Sequence, residues 1–424
     1  MLFPIFVFGR DLTIFLSPVK LSEKTKLESK GDNMIRKPRL FTPGPTPLLP
    51  EAQAALSAPA LHHRTAAFQA ILDRVRDNLK YFFGTTNDVI FFTSSGTGAM
   101  EASISNLFSP GDRVLVATAG KFGERWVQLA NAYSLLVEKV ESPYGKAISP
   151  DKLKETLENF DDLQGVCFQA TESSTGVRHD AEGIARLVRS IRPDALVIVD
   201  AITGLGTTQL DIDGWGLDVV IGGSQKALMV PPGLSFLSVG DRAWERAKTA
   251  KLPRYYFDLQ KEREAARRHD TAYTPATSLL VGLAAALERI CQLGRENLIR
   301  NAQVLADCTR HAVEALGLKL FAEVPSDALT AVCAPPGISS NDIEKQMNAE
   351  FGAVVANGQG SMKGKIFRIA HLGYYDFTDM IGVIGALEVA LTSLGYSCKL
   401  GEGVRAAQSR YIELVASVRQ PAAR

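Results

Sequence analysis

Beyond Phe41 the apolar positions of this chain follow two rhythms. Short unbroken runs rich in β-branched residues recur: "DVIFFTS" (88–94), "RVLVATA" (113–119), "QGVCFQA" (164–170), "ALVIVDA" (195–201) and "DVVIGG" (218–223). Runs of that length and composition read as strands covered on both faces. Between them, "TGAMEASISNLF" (97–108), "SPDKLKETLENF" (149–160) and "AEGIARLVRSIR" (181–192) place apolar residues at helical spacing. Ser149 and Pro150 supply an N-cap and a first helical position. Strand and helix alternating in this way predict an α/β fold with a mostly parallel central sheet.

Past a long apolar helix (277–294) and an amphipathic one (295–316), the rhythm changes to a smaller α+β unit. Its strands are predicted at 329–335 and 365–371 and its helices at 340–352 and 376–395. The chain thus divides into a large domain (36–294), a small C-terminal α+β domain (295–396) and a polar tail (397–424), helical at most in part. Residues 1–35 read as a disordered extension, with Met34 as an alternative start. The apolar run from Leu2 to Phe8 has no basic residue before it and is too short to cross a bilayer, and Arg10 and Asp11 interrupt it.

Composition narrows the partners. A formal net charge of +1 over 424 residues gives no electrostatic footprint for nucleic acid or an anionic membrane. Five scattered cysteines, without a C-x-x-C pair, fit reduced thiols of the cytoplasm better than a disulfide framework or a metal site.

Three features carry chemistry. In "TSSGTGAMEA" (93–102) a glycine-rich turn joins a strand to a helix, so the first helical N–H groups form a cradle suited to phosphate. No G-K-[ST] follows, which removes the lysine a P-loop needs. Asp200 closes a very apolar strand, where ligands of open α/β sheets bind, and a carboxylate there needs a partner: a magnesium ion, a ribose or a protonated ring nitrogen. Lys226 follows the next strand, and a desolvated lysine becomes a usable amine nucleophile toward a carbonyl. A phosphate cradle, a carboxylate and a buried amine together meet the needs of pyridoxal 5′-phosphate.

At this point the motifs carry a resemblance. "FTPGPTPLLPEAQAAL", "SSGTGAMEA", "GKFGERW", "ESSTGV", "VDAITGLG", "GSQKAL", "YTPATSLL" and "FRIAHLG" resemble, in order, the class V aminotransferases, fold type I pyridoxal phosphate enzymes, and most of all their alanine–glyoxylate and serine–pyruvate (serine–glyoxylate) branch. The resemblance implies that Lys226 binds the cofactor and moves the substrate's α-proton, and that Asp200 pairs with the ring nitrogen. Ser95, Gly96, Thr97 and Gln225 would line the phosphate side, Phe122 would stack on the ring, and Ser173 would line the pocket. Arg368 would hold the substrate carboxylate, which its planar fork of donors suits. The loop "TPGPT" (42–46) would close over the substrate, with Gly44 allowing close approach. Tyr273 and Thr274 would reach the phosphate of a neighbouring subunit, implying a homodimer with shared sites.

The activity so implied is transfer of the amino group of alanine or serine to glyoxylate or pyruvate. The alternatives are a 2-aminoethylphosphonate or phosphoserine transaminase, with Arg125, Arg178 and Arg64 as candidates for a distal acid, and, less well supported, a cysteine desulfurase. The last would need a histidine where Gln225 stands and a mobile cysteine, whereas Cys333 lies in an apolar strand.

Overall fold

Residues 35–419 are described in the computed structural model of the chain; the predicted extension, apart from Ile35, lies outside them, as do residues 420–424. The first strand, β1 (Arg39–Phe41), belongs to a sheet completed three hundred residues later. The central sheet has seven strands: β2 (Asp88–Phe92), β3 (Arg113–Thr118), β4 (Leu136–Glu141), β5 (Leu163–Gln169), β8 (Leu196–Asp200), β9 (Val219–Gly223) and β10 (Ser235–Val239). They lie in the order β2-β10-β9-β8-β5-β3-β4. Only β10 runs against its neighbours, so the other six direct their carboxyl ends to one edge. A two-residue ladder, β6 (Thr171–Glu172) with β7 (Val177–Arg178), leaves that edge directly after β5.

The strands β8, β9 and β10, and β5 apart from Gln164, are buried along their length because helices cover both faces of the sheet. One face packs on α1 (Pro50–Leu56), α2 (Ala66–Phe83), α5 (Pro150–Asn159), α6 (Ala181–Ile191) and α9 (Thr277–Leu293). The other packs on α3 (Gly96–Leu107), α4 (Lys121–Ala132), α7 (Asp241–Thr249) and α8 (Leu259–Ala266). Ser149 caps α5 through Lys152 N–H and Asp180 caps α6 through Gly183 N–H. These are the short polar side chains expected at N-caps.

The second sheet is β1-β12-β13-β11, with β11 (Leu329–Cys333), β12 (Ala353–Asn357) and β13 (Ile366–Ala370). It shares a core with α10 (Arg295–Ala315), α11 (Ser340–Phe351) and α12 (Phe377–Ser393). Through β1, residues assigned from sequence to the large domain pair with β12. The chain's end also departs from the expected tail. Glu402–Arg419 is an eighteen-residue helix, α13, with Ala407 buried against Cys308 and Ala312 of α10. Its entry is fixed by Glu388 of α12. That buried carboxylate accepts from Gly401 N (2.7 Å), Gly403 N (2.8 Å) and Val404 N (3.1 Å).

Glu388→Ala leaves those donors without their acceptor and should cost about 2 kcal/mol of stability, since an unmet buried hydrogen-bonding group costs roughly 1–3 kcal/mol. Denaturant unfolding of the purified variant checks this.

Candidate active site

The carboxyl edge of the central sheet gathers the reactive side chains. Lys226 lies three residues beyond β9, in a turn closed by Met229 N–H on its carbonyl (3.0 Å). Ser224 ties this loop to the next strand, its hydroxyl bonding Pro231 O (2.7 Å) and receiving Leu234 N–H (3.2 Å). That serine is therefore structural, and the Pro-Pro-Gly segment folds back on it. Lys226 is 8% exposed, with its ammonium donating to Pro43 O. Burial pulls its pKa down to about 8; Asp200 opposes that shift and Arg368 adds to it.

Gly44 explains how the 42–46 loop can lie so close. A Cβ there would stand 2.5 Å from Lys226 Nζ, and its φ of +129° favours glycine as well. Thr46 Oγ1 donates to Lys226 O (3.0 Å), holding loop and lysine together.

Asp200 is 5% exposed at the end of β8 and accepts from Ile202 N–H (3.0 Å). Burial raises its pKa to about 6; the Ile202 bond, Lys226 and Arg125 hold it down, while Glu172 pushes it up. Its register partner on β5 is Gln169, a fully buried side chain whose amide has no hydrogen-bond partner among the described residues.

The 93–97 turn delivers the start of α3 beside this pair. Ser95 occupies the N-cap without a side-chain cap bond, and its hydroxyl makes no hydrogen bond among the described residues. Gly96 packs so tightly that a Cβ there would collide with Ile202 Cδ1. Thr97 Oγ1 accepts from Arg125 Nη1 (3.0 Å), and the Arg125 guanidinium lies 4.9 Å from the centre of the Phe122 ring. Phe122 opens α4 and is half-buried; Gln225, next to the lysine, is also half-buried.

Arg368 comes from β13 of the second sheet. It is 4% exposed, donating from Nη1 to Ser173 O (2.7 Å) and from Nε (3.2 Å) and Nη2 (2.5 Å) to Asn357 O. A guanidinium has five N–H groups, so one remains on each terminal nitrogen, enough for a bidentate carboxylate. Burial lowers its pKa to about 10, so it stays charged near neutrality.

One central residue escaped the sequence reading. Glu172, fully buried, accepts from Phe122 N, Gly123 N and Ser174 N (each 3.0 Å) and from Ser174 Oγ (2.6 Å). It pins the first turn of α4, and hence Phe122, while Ser173 beside it receives Arg368. The signal was an acid straight after a buried strand in "QATESSTG", where a carboxylate must find donors.

Other candidates lie apart. Tyr273 gives its hydroxyl to Tyr255 O (3.0 Å) and stacks on Tyr256 at 5.2 Å, and Thr274 is exposed. Neither is bonded to Lys226, Asp200 or Arg368 within this chain, although Ala276 N–H reaches Thr93 Oγ1 (3.2 Å) at the cradle. Arg64 and Arg178 are exposed; of the three arginines considered for a distal acid, Arg125 stands nearest the cluster.

The sequence profile of the class-V aminotransferases matches residues 50–372, and the chain belongs to that family. It is 42% identical over 379 residues, 88% of this chain and 98% of the other, to a Synechococcus protein named soluble hydrogenase, small subunit. It is 35% identical over 390 residues (91% and 98%) to the L-aspartate–glyoxylate aminotransferase of Paracoccus denitrificans. The crystal structure of alanine–glyoxylate aminotransferase from Nostoc superposes with a TM-score of 0.80 at 30% identity, covering 88% of this chain and all of that one. The family's cofactor is pyridoxal 5′-phosphate, and the residues present fit it. They supply a buried amine of lowered pKa, a buried carboxylate, a helix start with a serine hydroxyl, and an unpartnered buried amide.

Three outcomes follow. Because Lys226 loses its proton near pH 8, aldehyde uptake by the cofactor-free protein should rise through that pH, against about 10.5 for an ordinary lysine. The same shift makes its contribution to stability increase with pH between those values, since there only the unfolded chain holds the proton; absorbance titration and denaturation across pH check both. Glu172→Gln should weaken cofactor binding by about tenfold to a hundredfold, because hydrogen bonds to a charged group contribute roughly 1.5–3 kcal/mol, as read from the dissociation constant of added pyridoxal phosphate.

Proposed function

We propose that this aminotransferase moves the amino group of a small amino acid, alanine or serine, to a small 2-oxo acid, glyoxylate or pyruvate, in two half-reactions sharing one site. The observation that carries the reading is the cluster of Lys226, Asp200 and Arg368. It combines a near-neutral amine, a carboxylate and a guanidinium with two free N–H groups.

Arg368 receives the substrate's α-carboxylate and so fixes the α-carbon relative to the lysine. Lys226, with a pKa near 8, takes the proton from that carbon and returns it one position away, a task suited to a base poised near the working pH. Bound pyridoxal phosphate supplies the aldehyde and the electron-withdrawing ring that make that proton acidic. Asp200 would keep a proton on the ring nitrogen, the α3 turn with Ser95, Gly96, Thr97 and Gln225 would receive the phosphate, and Phe122 would flank the ring. Gly44 and the 42–46 loop keep water from the amine. The glyoxylate acceptor and alanine donor are supported by the names of the Paracoccus and Nostoc relatives. We also infer a homodimer, in which Tyr273 and Thr274 serve the neighbouring phosphate, working in the cytoplasm, where its unpaired cysteines would stay reduced.

Aspartate as donor is a second reading, favoured by the Paracoccus name, and Arg125 is the cation to test for it. The hydrogenase name describes the Synechococcus protein. The cysteine alternative is disfavoured by Cys333, whose thiol burial pushes its pKa up, away from the thiolate a sulfur nucleophile requires.

A matrix of amino donors against oxo acids decides among these. Turnover of alanine or serine with glyoxylate, lost at least ten-thousandfold in Lys226→Ala, is expected. Activity confined to aspartate, 2-aminoethylphosphonate or phosphoserine would overturn the donor assignment, and full activity in Lys226→Ala would overturn the mechanism.

A further inference from the structure

Arg178, a sequence candidate for the substrate's distal acid, instead lines a separate cleft of about 250 Å³ with Ala170, His179, Thr208, Leu210 and Trp215. The cleft opens where β7 passes into α6, and its lining is rich in unused donors. His179 is 4% exposed, and its Nδ1 accepts from Ile148 N–H (3.2 Å), which places the ring proton on Nε2. That Nε2 has no partner among the described residues, nor has the buried hydroxyl of Thr208. Burial lowers the imidazole pKa to about 4, so the ring is neutral at physiological pH. The exposed Arg178 guanidinium makes no ion pair or hydrogen bond among the described residues.

Two acids share the lining, each with a partner of its own. Asp180 accepts from Gly183 N–H (2.9 Å) as the cap of α6, and Glu182 pairs with Arg186. What remains is a set of donors at the positive end of an eleven-residue helix, beside the apolar surfaces of Leu210 and Trp215. Unmet buried donors are costly, and an oxyanion with a short hydrocarbon body matches both halves of this lining.

We propose that this cleft binds a small organic acid, its carboxylate received by Arg178, His179 and Thr208 and its apolar body lying against Trp215. The cleft adjoins the active site through the backbone. His179 N–H donates to Ala170 O (3.0 Å), and Ala170 N–H donates to Asp200 O (2.9 Å). A ligand here would therefore bear on the strand end that presents Asp200. The inference goes beyond amino transfer and does not depend on which donor the enzyme prefers.

Calorimetric titration of the cofactor-loaded protein with 3-methylbutanoate, which has neither an amino nor an oxo group to react, tests it. Saturable binding is expected that changes less than twofold in Arg368→Gln, and weakens at least tenfold in Arg178→Gln and severalfold in Thr208→Val. Neither of these two substitutions removes core packing, so both should leave the fold intact. Inorganic phosphate, tested as a competitor, should displace the acid poorly. The proposal is overturned by any of four results: no saturable binding, loss of binding in Arg368→Gln, unchanged affinity in both cleft variants, or equal binding of phosphate.

Discussion

A lysine and an aspartate taken out of water at the ends of neighbouring strands impose the constraint around which this protein is arranged. Each ion loses several kcal/mol of hydration on burial, and the pair persists because the surroundings return part of it. Asp200 gains Ile202 N–H and the fields of Lys226 and Arg125; Lys226 gains Pro43 O and the field of Asp200. The compensation is incomplete, so the amine sits near pH 8 and the carboxyl near pH 6. Incomplete compensation is what leaves the lysine reactive.

The same economy of donors explains the parts farther out. Glu172 is a third buried charge, stabilised by N–H groups of the α4 start and by Ser174. Arg368 is a fourth, held by two backbone carbonyls from different parts of the chain. Residues 172 and 173 therefore couple Phe122 to Arg368. A shift of that short segment would move both, so the positions of Phe122 and Arg368 are mechanically linked.

Much of the central sheet was legible because its inner strands are unbroken apolar runs. β4 was not: Leu136–Glu141 carries Glu138, Lys139 and Glu141 and is mostly unburied, as suits an edge strand that must not pair further. β12, Ala353–Asn357, was also missed, being short and only alternately buried. α13 read as a polar tail although half of its residues are apolar, because what fixes its place is Glu388, contributed by another helix. In the site, Lys226, Asp200 and the 93–97 turn were legible because each follows a strand, where side chains of an open sheet meet a ligand.

The sequence by itself determined the alternation of strand and helix, the placement of Asp200 and Lys226 at strand ends, and the glycine-rich turn, because periodicity and strand-end position are local properties. Only the tertiary structure decided that Gly44 must lie against the Lys226 amine, that Glu172 anchors Phe122, and that Arg178 turns to a different cleft from Arg368. Those facts depend on which distant backbone groups remain unsatisfied when the two sheets and their helices pack, and no local pattern records that.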